Sequence, residues 1–511
     1  MVLTWQRFEK TPTVTTIDTT TYPIWGLHFP AVTICNYNKV YRPEAKKLAA
    51  DMAKEGLNVT EIKNFFDALP KLIRPEFIGH ENTKALRALE RMQLSVDDLM
   101  LKLMQPCDKL LMKCIWLGKV YNCSKIFKTV KSIEGYCCAF NYHVFPSVTL
   151  EQETDPDSIQ NYQQGLDDIQ MVPGAGRDIG LSLVLNVEAF AYRGSIRPYT
   201  GASVLIHDPH VYPEVDMQTA LVQSNQEISV ILSGKVVESA ENVRQLKLNQ
   251  RNCWFNDEKQ LKSSVVYSYQ SCVAECRMEH IVSLCDCLPF YYPDIVDNVR
   301  TCGLADVRCL RFNNRVLSSL QMPLEGEVTN KTISPTKCAC LPQCSSKSYV
   351  IDIEKARLED VDFDSVLLRG LNINDISLVH VHFRDITCLK YRRDSLITWH
   401  DLLASFGGVF GLCVGGSFVS FVEILYYFTI KVFHSRRNWN DLSMFKAQST
   451  VGSFVEPKSN GLPQPSTIKV SDPDNTFGKY LDANNRKTNF WATVKLPPHM
   501  ESRNIKKAPV Y

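Results

Sequence analysis

The chain lacks the signatures of catalysis. It has no His-Glu-x-x-His pair for zinc, no phosphate-binding glycine loop and no Gly-x-Ser-x-Gly elbow. It also lacks charge of one dominant sign. Lys and Arg number 57 against 55 Asp and Glu, a net charge of +2, so no long-range field argues for nucleic acid. Residues 1–28 contain no apolar run long enough for a signal peptide or a membrane span. Their alternating β-branched residues read as extended chain. Finally, no cysteine follows residue 413, although the chain has 18.

What is present is one long uncharged run. From Leu402 to Val422 no side chain carries a charge. A helix rising 1.5 Å per residue makes that run roughly 30 Å long, the hydrocarbon thickness of a bilayer. The run therefore predicts a transmembrane helix. Lys431, Arg436 and Arg437 follow it closely, with His434 between them, and such cationic flanks stay cytoplasmic. The C-terminal tail is then inside and most of the chain outside. The cysteines agree: all but Cys413 precede the run, as expected of oxidising space before it and reducing space after it. The sequons at Asn58, Asn122 and Asn330 fall on the same outer side.

The interior of the run is unusual for a plain anchor. Gly407, Gly411 and Gly415 share one helix face, where small residues let backbones approach closely in lipid. Gly415-Gly416-Ser417 weakens a helix in mid-membrane. Carbonyls freed there are tolerable only against protein or a water-filled pore, where a ring of them can replace an ion's hydration shell. Glu423 is costly at that depth and faces a bundle interior or pore, unless it snorkels to the cytoplasmic interface.

The stretch LLASFGGVFGLCVGGSFVSFVEILYYF resembles the second transmembrane helix of the degenerin/epithelial sodium channel family, whose members are amiloride-sensitive or acid-sensing. Phe29–Asn36, FPAVTICN, resembles the box that follows that family's first membrane helix. GYCCAFNY at 135–142 resembles one of its strands, and the doubled cysteine is similar to the insect pickpocket branch. The resemblance spans residues 29 to about 433. It implies that Gly415, Gly416 and Ser417 form the selectivity filter. It implies a pore and gating role for Ala404 (the degenerin position), Ser405 (where many members carry Asp), Gly407, Gly408, Gly411 and Glu423. The family has a first helix and a His-Gly motif before the box. This chain starts too late for either, which implies an incomplete gene model or a truncated product.

The implied fold is a membrane protein with an α+β, disulfide-rich extracellular domain of palm, finger and thumb on transmembrane helices. Residues 1–28 would be a remnant after the missing first helix, 29–45 the strand leading into the palm and 46–136 the finger. Palm and β-ball would occupy 137–252, the thumb 253–345, the last palm strands 346–395, the pore helix 396–433 and a disordered cytoplasmic tail 434–511. Within this frame helices are predicted at 42–56 and 60–68 and over SVDDLMLKLM with Ser95 as its cap. Strands are predicted at 180–188, within 216–250 and within 348–391, with a loop at 150–178.

Cysteine connectivity is undetermined by the sequence alone. The resemblance implies Cys35–Cys137, Cys114–Cys123, Cys253–Cys344, Cys272–Cys340, Cys276–Cys338, Cys285–Cys309 and Cys287–Cys302. Cys107 and Cys138 are left unassigned, pairing with each other being one arrangement open to them. Zinc is disfavoured, because Cys-x-Cys is too tight for the usual structural knuckle and the compartment is oxidising. The function implied is a subunit of a trimeric, amiloride-sensitive, sodium-permeable channel gated through its extracellular domain. It would lie in the plasma membrane as a homo- or heterotrimer with related subunits, in contact with lipid. It would need no cofactor or metal beyond permeant sodium, and bind no nucleic acid. The alternative is a non-conducting or regulatory single-pass subunit or receptor. No Pro-Pro-x-Tyr motif supports the ubiquitin-ligase docking known for some family members.

Overall fold

A computed structural model describes residues 2–10, 13–75, 83–144, 169–214, 217–264, 266–293, 298–319, 338–359, 365–397, 399–415 and 417–431. The chain divides into two units, Met1–Val419 and Ser420–Tyr511. Asn330 and the expected tail at 434–511 lie outside the described residues, as does most of the expected loop at 150–178.

The first unit is built on two sheets. The larger has Gln226–Ser239 at its centre. One edge of that strand pairs antiparallel with Ser346–Arg357, from Gln226 opposite Arg357 to Val237 opposite Ser346. Its other edge takes two strands in line, both parallel to it: Ser377–Phe383 beside its first half and Thr387–Ser395 beside its second. The close approach at this edge explains Gly234, where a Cβ would meet Leu27 Cδ2 at 2.3 Å. Leu181–Leu185, Leu111–Trp116 and Lys119–Tyr121 extend the sheet on one side, and Thr13–Pro23 closes it on the other. The second sheet runs in the order Gln218–Gln223, Gly201–His207, Ala31–Asn36, Gly135–Phe140, Phe127–Ser132. Ala31–Asn36, Leu181–Leu185 and Gly201–His207 are buried at every residue, as continuous apolar runs covered on both faces should be.

Both sheets contribute to one apolar cluster, and Phe29 sits within it. Its ring meets Trp116 edge-on at 4.8 Å, Phe383 at 5.9 Å and Phe140 at 6.1 Å between centroids. Asn141 Nδ2 donates to the Phe29 carbonyl at 2.5 Å. Farther along the same box, Asn36 Nδ2 donates to Gln105 Oε1 at 2.5 Å and its Oδ1 accepts from Tyr192 at 2.8 Å. The FPAVTICN box is thus a packing and hydrogen-bonding element of the fold.

A second cluster belongs to helices. Arg42–Lys54, Val59–Ala68, Thr83–Arg91 and Val96–Leu103 contribute to it, together with Tyr269–Cys285 and Val307–Ser319. Val59–Ala68 opens with a capping box: Asn58 Oδ1 accepts from Glu61 N at 2.8 Å, and Glu61 Oε2 accepts from Asn58 N at 3.0 Å. Ser95 caps Val96–Leu103 by accepting from Asp98 N at 3.1 Å.

Eight disulfides staple the first unit. Cys35–Cys137, Cys107–Cys138 and Cys114–Cys123 join segments of the sheets and their connections. Cys253–Cys344, Cys272–Cys340, Cys276–Cys338, Cys285–Cys309 and Cys287–Cys302 lace the helical region. Cys272 and Cys276 lie one turn apart on Tyr269–Cys285, and the 338–344 segment crosses them in the opposite order.

The segment 1–28, expected to be extended, begins instead with a helix, Val2–Lys10, before the strand Thr13–Pro23. The membrane helix expected at 396–433 is not one helix but is interrupted at the glycine pair expected to weaken it: Trp399–Val414 is α-helical, Phe418–Tyr426 is a second helix, and Tyr427–Lys431 is a π-helical turn. Gly415 carries the break with φ +66°, a left-handed conformation that only glycine adopts without strain. Among the described residues no single helix is long and apolar enough to cross a membrane.

Candidate functional site

The strand Thr387–Ser395 leads directly into Trp399–Val414. It pairs antiparallel with Thr13–Pro23, from Thr13 opposite Ser395 to Pro23 opposite Thr387. The N-terminal strand therefore leaves the sheet beside the strand that enters the apolar helix. Helix Val2–Lys10 accompanies it, with the Phe8 and Trp399 rings 6.5 Å apart. Lys390 joins this neck to the central strand through a 2.5 Å ion pair with Glu238, and Asn242 Nδ2 donates to Ser395 Oγ at 2.9 Å.

Trp399–Val414 is apolar and uncovered. Leu402 is buried, whereas Leu403, Phe410 and Leu412 are exposed, Leu412 at 89 %. A helix apolar all round is stable only inside lipid or against other helices. Ala404, Ser405, Gly407, Gly408 and Gly411 are all exposed on it. A Cβ added at Gly407, Gly408 or Gly415 would meet nothing within 4 Å, so these glycines are not required by packing inside this chain. Gly415 N still donates to Gly411 O at 3.1 Å, and the helix ends there. Ser417 follows in non-helical backbone, while Gly416 lies outside the described residues. Glu423 belongs to the second unit, on Phe418–Tyr426, and is exposed there.

A buried junction connects the laced helices to the segment that follows the strand Gly201–His207. Glu214 lies past the end of Gly201–His207 and its side chain is wholly buried. Arg277, on Tyr269–Cys285, donates to Glu214 Oε1, and the Tyr292 hydroxyl donates to the same oxygen at 2.5 Å. Nearby, Tyr212 donates to the Tyr291 carbonyl at 2.7 Å. The residues of this junction are 63 and 78 positions apart in the chain, so no local pattern announces it.

Of the sequon asparagines, Asn58 and Asn122 are exposed helix caps. Cys276, His280 and Cys338 place three ligand-type atoms close together. The two sulfurs are bonded to each other, so no thiolate is available to a metal. The two cysteines outside disulfides are Cys388, which is buried, and Cys413, exposed on Trp399–Val414.

Comparisons with known proteins bear on the whole of this arrangement. A family model described as amiloride-sensitive sodium channel matches residues 1–427. Sodium channel protein Nach of Drosophila ananassae is 24 % identical over 430 residues, covering 83 % of this chain and 77 % of that protein. Pickpocket protein 19 of Drosophila melanogaster is 25 % identical, covering 82 % and 80 %. Bile acid-sensitive ion channel of Mus musculus is 25 % identical, covering 84 % and 79 %.

Proposed function

Because the chain belongs to the amiloride-sensitive sodium channel family, whose members are ion channels and not enzymes, we propose that it is a pore-forming subunit of a sodium-permeable channel. Channels of this family are membrane proteins with disulfide-rich extracellular domains, and they assemble as oligomers of related subunits. The finer reading is a trimer in the plasma membrane, sensitive to amiloride and opened through its extracellular domain, with the C-terminal tail in the cytoplasm.

In this reading the interrupted run Leu402–Val422 is one membrane crossing, broken because the break has work to do. Irregular backbone at membrane depth is tolerable where it lines a water-filled path. The observation that carries the proposal is the left-handed Gly415 at the end of an uncovered apolar helix. Gly415, Gly416 and Ser417 then present carbonyl and hydroxyl oxygens to a dehydrating cation. Ala404, Ser405, Gly407, Gly408 and Gly411 line the outer part of the path, and Glu423 its inner end. The regions 46–136, 137–252 and 253–345 are finger, palm with β-ball, and thumb. The disulfide-laced helices act as a stiff lever. The Glu214–Arg277 junction and the strand Thr387–Ser395 pass its movement to the membrane helix. Asn58, Asn122 and Asn330 carry glycans on the outer face.

Expression of the full chain at the surface of voltage-clamped oocytes, alone and with related subunits, tests this. A sodium current that amiloride blocks supports it. Surface-exposed protein that neither conducts nor changes the current of co-expressed subunits overturns it.

A further inference from the structure

A large open cavity lies away from the pore segment. It offers about 970 Å3 between the start of Tyr269–Cys285 and the edge of the larger sheet at 345–350. Lys235, Lys347 and Arg393 line it, and none has a carboxylate within ion-pair distance among the described residues. Lys347 Nζ sits 3.4 Å from both ring nitrogens of His28, a neutral partner. Burial pushes the His28 imidazole down to about 4, so at neutral pH it adds no charge. Lys235 lies over the Tyr391 ring at 4.7 Å.

Two acids share the lining, Asp208 and Glu238. Glu238 is taken by Lys390 at 2.5 Å. Asp208 accepts the His210 amide at 2.9 Å and attracts Lys347, while burial raises its pKa. With Glu238 held by Lys390, three cations of the lining face one remaining carboxylate, so positive charge is in excess. The seventeen-residue helix Tyr269–Cys285 adds to it, because its first residues, Tyr269 and Gln270, line the wall and its N-terminal dipole end favours an anion. Tyr22, Tyr269 and Tyr349 supply ring surface around this polar end.

We infer that this cavity binds a small organic anion, a carboxylate or sulfonate carried on an apolar body. The anionic head meets Lys347, with Arg393 and Lys235 around it, and the body rests on the tyrosine rings. The volume exceeds what an inorganic ion needs and falls within the range of small-molecule sites. The inference does not depend on conduction, and its test reads binding alone.

The probe is dansylglycine, titrated by fluorescence into the full-length protein in lipid nanodiscs with empty nanodiscs subtracted. The expected result is saturable binding that benzoate displaces and benzamide does not. Lys347→Gln should weaken binding about tenfold or more, the weight of one charge-assisted hydrogen bond. Arg393→Gln should weaken it several-fold. Lys347→Arg, which keeps the charge, should bind within about threefold of the wild type, and this separates loss of charge from loss of fold. Lys125→Gln, away from the cavity, should bind as wild type. Absence of saturable binding, equal binding of neutral dansylamide, or unchanged affinity in Lys347→Gln would each overturn the inference.

Discussion

The Glu214–Arg277 junction makes a quantitative prediction about how the laced helices are held to the sheets. Glu214 is wholly buried and Arg277 is 16 % exposed at its side chain. Removing one partner leaves the other charge buried and uncompensated, which typically costs about 3–5 kcal/mol. Glu214→Gln should therefore destabilise strongly, since the Tyr292 hydroxyl also loses its charged acceptor. Arg277→Met should cost a similar amount, because it leaves Glu214 buried without its cation. The double variant removes both charges, and replacing a buried pair by neutral groups is often close to neutral. The two changes should therefore be non-additive by about 2–3 kcal/mol. Apparent melting temperature of the purified full-length protein, followed by intrinsic fluorescence, is the assay. Each single variant should melt several degrees lower, and the double variant higher than the sum of the two shifts predicts. Additivity within about 0.5 kcal/mol would refute the reasoning, because the two side chains would then not share one energetic unit.

Phe29→Ala empties the centre of the aromatic cluster and should cost about 3–5 kcal/mol, read as a lower melting temperature and reduced surface expression. Cys107→Ser breaks the bridge to Cys138 and should cost about 2–5 kcal/mol; one more alkyl adduct than the unfolded wild type, in which Cys388 and Cys413 already react, reports the freed Cys138. The acid limb of stability involves His207, fully buried with Nε2 2.9 Å from Thr33 Oγ1 and Nδ1 3.0 Å from the Asp208 carbonyl. Burial pushes its pKa down from 6.5 to about 4, so the unfolded chain takes the proton first. Its contribution is complete above pH 6.5 and is lost as pH falls towards about 4, of the order of 3 kcal/mol in all. His207→Gln should flatten the melting temperature across that window, and an unchanged slope would count against the assignment.

How much of this was legible in the sequence depended on range. The Ala31–Asn36 strand is legible because six consecutive residues carry the box and its burial. The helix Val96–Leu103 is legible because Ser95 and Asp98 form its cap within three residues. The weak point at Gly415 is legible from two adjacent glycines, but its consequence, division of the run into Trp399–Val414 and Phe418–Tyr426, is a property of backbone geometry. What the sequence hides is pairing across distance. Thr13–Pro23 finds Thr387–Ser395 across most of the ectodomain, and nothing in either segment specifies that register. The two-tyrosine, one-glutamate junction at Arg277 and the cavity around Lys347 likewise draw residues from separate elements. Cys107 and Cys138 show the same limit, because an unassigned pair acquires a partner only when its two segments are placed.

Ion selectivity of Ser417 variants is the most direct test of the central claim. Reversal potentials would be measured under sodium and under potassium, in cells expressing the chain with related subunits. If Ser417 lines the permeation path, Ser417 substitutions should shift the sodium-to-potassium permeability ratio while protein at the surface stays constant. An unchanged ratio, with Ser417 and Gly416 variants present at the surface, would contradict a pore-lining role.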